Sequence, residues 1–386
     1  MQHTYLILSD GTFFEGESIG YPPPDIERLC SSRIEDAPCG EIVFNTTMGA
    51  YHEILTDPSY AGQVIVMTSV HIGNYGCDRT WNESCSDTAA CRAFIMRDAY
   101  DGLLPPDRIS LSDILAEWNV CGLSGVDTRA LTLHIRDFGA MYAVVVRCEP
   151  TEIQRAVDWI TTCPPFGQLD FIPSVTAQSV TSYKPAQTAN KRFALIDFGV
   201  KRSIVNSLLA RNVETVVIPA TMDFSSYILQ DGTFDAVLLS NGPGDPALLT
   251  PQIDQIKRLV GTVPLFGICL GHQLIAHALG AKTTKMKFGH HGGNQPVVEH
   301  TTGSVFVTAQ NHGYCVVPES LPSHVTVWMT NADDGTNEGL FSDDSRVASV
   351  QFHPEASPGP RDSQFVFDAF INIAEGKSIG GLSSCR

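Results

Sequence analysis

A surplus of basic residues is what this 386-residue chain most conspicuously lacks: 25 Lys and Arg stand against 42 Asp and Glu, a formal charge of −17. Nucleic acid and anionic membrane surfaces are therefore excluded as partners, since both are recognised through clustered positive charge. No apolar run approaches the roughly 18 residues that a membrane span needs. The opening MQHTYLILSDG has no basic n-region, no long apolar h-region and no Arg-rich amphipathic stretch, so a cytoplasmic setting is expected. Internal repeats and low-complexity tracts are also missing. Charged residues make up only 17 % and apolar residues 43 %, a balance that suits packed globular units and argues against long disorder.

CxxC pairs are absent too. Cys77, Cys85 and Cys91 form the one local cluster of cysteines, and their spacings of eight and six match no common zinc pattern, so no metal is expected. Eleven cysteines, an odd number scattered through a long chain, read as reduced thiols, most of them small buried apolar residues.

The length predicts two domains. Residues 5–8 and 12–14 flank Asp10-Gly11, a hairpin signal. Apolar, β-branched runs follow at 41–47, 63–69 and 93–97. Leu111, Ile114, Leu115 and Trp118 recur at helical spacing behind Ser110, a candidate cap. A second helix is expected from Asp127 to about Gly139, before a strand at 141–147. These elements describe an α+β domain over residues 1–155. Residues 156–190 carry Pro164, Pro165, Pro173 and Pro185 among Ser, Thr and Gln, the composition of a linker. From 191 to 380 the rhythm becomes strand–helix–strand. Strands are expected at 193–197, 213–218, 236–240, 263–268 and 346–352, and Ile204, Val205, Leu208 and Leu209 stripe a helix that Asn212 can end. The fold class is therefore α/β: an N-terminal α+β domain, then a mostly parallel central sheet flanked by helices. Such sheets hold their ligands at the carboxyl ends of the strands.

Three strand ends carry chemistry. Gly267-Ile268-Cys269-Leu270-Gly271 is the cysteine counterpart of the G-x-S-x-G elbow, in which small flanking residues let a strand turn sharply into a helix and lift the central side chain over the sheet. A cysteine at a helix N-terminus is favoured as a thiolate, and the N–H of Leu270 can donate to an oxyanion. A buried structural cysteine is the plainer reading, but the paired glycines and the strand–turn–helix context outweigh it. His353 follows the last strand; histidine shuttles protons near neutrality, and Glu355, two residues on, can hold its tautomer. The loop Asn241-Gly242-Pro243-Gly244 exposes backbone N–H groups in a fixed bend, suited to an oxyanion hole, although a plain tight turn would look the same.

In this order the motifs resemble the class I, triad-type glutamine amidotransferases. Lys285-Met-Lys-Phe-Gly-His-His-Gly-Gly-Asn294, Ala309-Gln-Asn-His-Gly-Tyr314 and His353-Pro-Glu-Ala-Ser-Pro-Gly-Pro360 resemble more narrowly the small, glutamine-hydrolysing subunit of carbamoyl-phosphate synthetase. The first domain agrees, through Gly40-Glu-Ile-Val-Phe-Asn-Thr-Thr47, Tyr51-His-Glu-Ile-Leu-Thr-Asp-Pro-Ser-Tyr60 and His71-Ile-Gly-Asn74. The resemblance implies a Cys269–His353–Glu355 triad, a γ-glutamyl thioester, and ammonia passed to a separate large subunit. No cofactor is implied on this chain; ATP, Mg and bicarbonate would belong to the large subunit. It further implies glutamine held by Thr47, Gly242, Gly244, Leu270, Gln273, Asn311, Gly313 and Tyr314, with Gly244 and Leu270 as the oxyanion donors. Several positions depart from the family pattern. Thr47 stands where a smaller residue such as Ser is common, Ala50 where Gly usually precedes the tyrosine, and Tyr314 where Phe is familiar. Residues 21–38 enlarge an early loop. A paralogous glutaminase subunit of a specialised carbamoyl-phosphate pathway, a non-catalytic regulatory subunit and a free-standing γ-glutamyl hydrolase remain as alternatives.

Overall fold

Alternation is the organising pattern of the N-terminal strands. Side chains two apart share a face of a strand, so Leu6 and Leu8 belong to one buried cluster and Tyr5 and Ile7 to another; Val64 and Val66 part from Ile65 and Met67 in the same way. Both faces are buried because the strands close on themselves. The computed structural model describes residues 3–378. Its first unit comprises residues up to Leu169 together with Lys287–His291.

Here β1 (His3–Leu8), β2 (Phe13–Gly20), β3 (Cys39–Asn45), β4 (Gln63–Met67), β5 (Ala93–Ile95), β6 (Cys121–Ser124) and β7 (Tyr142–Cys148) form a closed barrel in the ring order β1-β2-β6-β5-β4-β3-β7. β1 closes the ring antiparallel to β7, with Leu6 opposite Val145. Three helices of seven or more residues cover it, together with the shorter Ile26–Ser31 and Tyr51–Thr56. α1 (Leu111–Glu117) starts where the Ser110 hydroxyl accepts from the N–H of Asp113. α2 (Thr128–Phe138) starts where Asp127 accepts from Ala130 and stops at Gly139, φ +97°. α3 (Ile153–Thr161) turns Ala156, Val157, Trp159 and Ile160 toward the Tyr5 and Ile7 face.

The second unit comprises Asp170–Met286 and the residues from Gly292 onward. Its ten strands are β8 (Thr181–Tyr183), β9 (Lys191–Asp197), β10 (Val213–Pro219), β11 (Ala236–Leu239), β12 (Leu265–Ile268), β13 (Thr283–Glu299), β14 (Ser304–Val316), β15 (Thr326–Asn331), β16 (Asn337–Ser342) and β17 (Val347–Val350). Their order is β8-β10-β9-β11-β12-β17-β16-β15-β13-β14. The five strands from β10 to β17 are mutually parallel. α4 (Arg202–Leu209), α5 (Phe224–Asp231) and α6 (Thr250–Leu259) join them, and α7 (Leu270–Ala278) and α8 (Phe365–Ala374) complete the helical layers. Two apolar clusters, one on each face, explain why these strands are apolar throughout. Beyond β17 the sheet continues as antiparallel strands, which the parallel reading did not include.

Residues 156–190, expected as a linker, are shared between the units, which part at Leu169 and Asp170. α3 runs on to Thr161 because its apolar residues keep helical spacing up to Ile160. β8 pairs antiparallel with β10, and Ile172 is buried in the second unit's core. No helix among the described residues is long and apolar enough to cross a membrane.

Candidate active site

Four neighbouring parallel strands, β9, β11, β12 and β17, deliver the site from their carboxyl ends. At the end of β12, Cys269 takes φ +54° and ψ −106°, a conformation rare for a residue with a Cβ. The glycines around it are obligatory. A Cβ on Gly271 would lie 2.3 Å from the Leu239 carbonyl oxygen, and one on Gly267 would lie 2.6 Å from Gly271. The turn is pinned by the Cys269 N–H donating to Val350 O at 2.9 Å and the Gly271 N–H donating to Ser240 O at 3.0 Å.

The thiol is not presented to bulk solvent as the elbow motif suggested. Cys269 is 2 % exposed, because β14 crosses over it and its Sγ donates to the Asn311 carbonyl at 3.5 Å. His353 Nε2 is buried without a hydrogen-bond partner, and the Cys269 side chain is close enough to the ring to favour its protonation.

At the end of β17 the His353 N–H donates to Ala309 O at 2.8 Å, and its Nδ1 donates to Glu355 Oε1 at 2.6 Å. Burial alone would lower the pKa of this ring. The Glu355 charge, then the Cys269 side chain, outweigh it and raise the value to about 10. Burial pushes the Glu355 carboxyl the other way, yet the Lys201 charge and then that of His353 hold it well below the usual carboxylate range.

Lys201 is the residue that sequence reasoning missed. It is 2 % exposed, and its Nζ donates to Glu355 Oε1 at 2.9 Å and to Ala356 O at 2.7 Å. Asp197, ending β9, builds the loop before it by accepting from the N–H groups of Gly199 and Val200, while the N–H of Lys201 itself donates to Asn241 Oδ1 at 3.2 Å. A lysine just past an apolar parallel strand was the available signal, given where such sheets place their ligands.

The Gly242–Gly244 loop lies against α7. A Cβ on Gly242 would meet Phe198 O at 2.3 Å and Leu270 Cδ2 at 2.8 Å, and Gly244 adopts φ +94°. Leu270 is the first residue of α7, so its N–H has no carbonyl of its own helix to bond. Gln273 donates both amide hydrogens inward, to Tyr314 O at 2.8 Å and Gln351 Oε1 at 2.9 Å, which leaves its oxygen to accept. Asn311 and Tyr314 are buried on β14, and open space lies beside Gly313. Thr47 belongs to the first unit, where its N–H donates to Asn45 Oδ1 at 2.7 Å and its hydroxyl is buried without a hydrogen-bond partner. Ala50, also in the first unit, is left-handed at φ +57°, the glycine-favouring conformation raised by its departure from the family pattern.

Residues 6–145 match the family model of the carbamoyl-phosphate synthase small chain CPSase domain, and residues 194–373 match that of class I glutamine amidotransferases. The chain is 40 % identical over 375 residues to the carbamoyl phosphate synthase small chain of Methanocaldococcus jannaschii, covering 96 % of this chain and 99 % of that one. It is 40 % identical to the protein of the same name from Archaeoglobus fulgidus, covering 95 % and 98 %, and 37 % identical to that from Lactococcus lactis subsp. lactis, covering 97 % and 99 %. The chain is a glutamine amidotransferase and belongs to the carbamoyl-phosphate synthase small-chain family.

Proposed function

We propose that this glutaminase subunit cleaves glutamine through Cys269, His353 and Glu355 and delivers the ammonia to a large synthetase chain. One observation carries the reading: a thiol on a strained strand-to-helix turn faces an imidazole that is itself oriented by a buried carboxylate at 2.6 Å. The proton that Sγ gives up rests on His353 Nε2, a state the raised proton affinity of the ring favours, and the sulfur attacks the amide carbon of glutamine. The negative charge forming on the carbonyl oxygen meets the N–H groups of Gly244 and Leu270. When the C–N bond breaks, His353 returns the proton to the leaving nitrogen, giving ammonia and a γ-glutamyl thioester. Water then attacks the thioester with His353 as base, releasing glutamate and restoring the thiol. Glu355 keeps the Nδ1 proton in place throughout, and Lys201 keeps Glu355 ionised.

Gly242, Gln273, Asn311, Gly313 and Tyr314 would hold the substrate. No cofactor is assigned to this chain; the partner would use ATP, Mg and bicarbonate to form carbamoyl phosphate. The cysteines described are free thiols, which fits a cytoplasmic reaction.

Replacing Cys269 by Ser tests the reading in the reconstituted complex. Glutamine-dependent synthesis is expected to vanish while ammonia-dependent synthesis persists. Loss of both would make the residue structural, and retention of glutamine-dependent synthesis would remove it from the chemistry. A glutamine-like chloroketone should alkylate Cys269; no adduct would favour a regulatory subunit.

A further inference from the structure

The enlarged loop at residues 21–38 has no part in the glutaminase reading, yet it forms one wall of a cavity of about 280 Å³ in the first unit. The opposite wall comes from the barrel and the end of α1, through Arg92, Trp118, Asn119 and Cys121. The loop is fastened where it meets the barrel. The backbone N–H of Arg147 donates to Pro24 O at 2.9 Å and its Nε donates to Pro23 O at 3.1 Å. Asp25 caps the short helix Ile26–Ser31, whose Ile26 and Leu29 are buried. Arg28 is therefore carried into the cavity wall by a helix anchored through its other face.

The charges of this wall are unevenly satisfied. Its two carboxylates are taken by Arg33, which reaches Glu35 at 2.6 Å and Asp36 at 3.2 Å. Arg28 and Arg92 have no ion pair among the described residues; Arg92 spends one hydrogen bond, at 2.6 Å, on the Glu35 carbonyl. Both charges are felt inside the wall. Arg28 works against the burial that pushes the Cys121 thiol up to about 12, and Arg92 does the same at Cys91. In a chain of formal charge −17, two guanidinium groups without carboxylate partners at one concave site form a local exception.

We propose that this cavity binds a small metabolite carrying an oxyanion, a phosphate monoester or a carboxylate, gripped by Arg28 and Arg92. Guanidinium forks match both groups through paired, charge-assisted hydrogen bonds. The volume falls just below the ~300–1,000 Å³ usual for small-molecule sites, which limits the ligand to a compact body. The site does not depend on the glutaminase reading.

The test uses the full chain, with inorganic phosphate and malonate as separate probes, chloride holding ionic strength constant, and binding followed by calorimetry. Saturable binding of at least one probe is expected, weakened at least about tenfold by Arg28→Gln and by Arg92→Gln. Arg258→Gln, on α6 of the second unit, should bind as the parent does. Arg28 makes no side-chain hydrogen bond or ion pair in the described fold, so its variant separates lost binding from lost folding. Phosphate saturating alone supports a phosphate monoester, and malonate saturating alone supports a carboxylate. No saturable binding of either, or binding unchanged in Arg28→Gln, overturns the proposal.

Discussion

Glu355→Gln isolates the electrostatics of the site, because it removes one negative charge and little volume. In the parent, Glu355 faces Lys201 at 2.9 Å and His353 at 2.6 Å, with all three side chains buried. The rise of His353 from 6.5 to about 10 corresponds to ~5 kcal/mol of preference for the protonated ring. Neutralising Glu355 removes the largest force raising that value, so burial should draw it down toward or below the ordinary histidine value. Lys201 would be left buried without its counter-charge, at a cost of about 3–5 kcal/mol in stability.

The pH dependence has a definite sign. The raised His353 contributes stability that is complete below about 6.5 and is lost as pH rises through about 10. The depressed Glu355 contributes stability present above about 4.5 and lost as pH falls through its folded value. Parent and Glu355→Gln should therefore differ most between about pH 4.5 and 6.5, and the gap should shrink in both directions. Urea unfolding across that range measures it, and NMR of labelled histidine follows the ring. Adding Lys201→Met to Glu355→Gln should recover much of the stability, since the lone buried charge is gone. It should not recover glutamine hydrolysis, which is expected to stay about 10²–10⁴-fold down for want of an oriented imidazole. If Glu355→Gln unfolds at the parent's urea concentration and its ring titrates unchanged, the reasoning fails.

Gly271→Ala places a Cβ 2.3 Å from the Leu239 carbonyl, so the elbow must shift, and glutaminase activity should fall by about 100-fold or more. Cys269→Gly should unfold ~1 kcal/mol later than Cys269→Ala, because glycine accepts φ +54° without strain; equal midpoints would show the turn to be relaxed. Ala50→Gly, at φ +57°, should stabilise the protein by roughly 0.5–1 kcal/mol in chemical denaturation.

What could be read from the chain was local. Ser110 and Asp127 cap their helices by side-chain acceptance at the third residue, a relation contained within four positions. The apolar runs at β9, β11 and β12 announce themselves because both faces of each strand are covered. The barrel stayed hidden because closure pairs His3–Leu8 with Tyr142–Cys148, a contact across almost the whole domain that no local pattern records. β13 was hidden for another reason. Its Gly-His-His-Gly-Gly run reads as a breaker, and Gly289 at φ +72° and Gly292 at φ +154° show that the strand is irregular there.

The candidate site divides along the same line. Cys269 and His353 were legible because each combines a reactive side chain with a backbone signature, paired glycines in one case and a strand end followed by Pro-Glu in the other. Lys201 has no such signature; lysine is normally a surface residue, and nothing within ten positions of it is acidic except Asp197. Its partner lies 154 positions away and is reached only because β9, β11, β12 and β17 stand side by side with their carboxyl ends aligned. Sheet order therefore determines whether Glu355 can be held ionised while buried, and with it the orientation of His353. The proposed chemistry is written in three short motifs, but the charge balance that would make it workable is a property of the strand order.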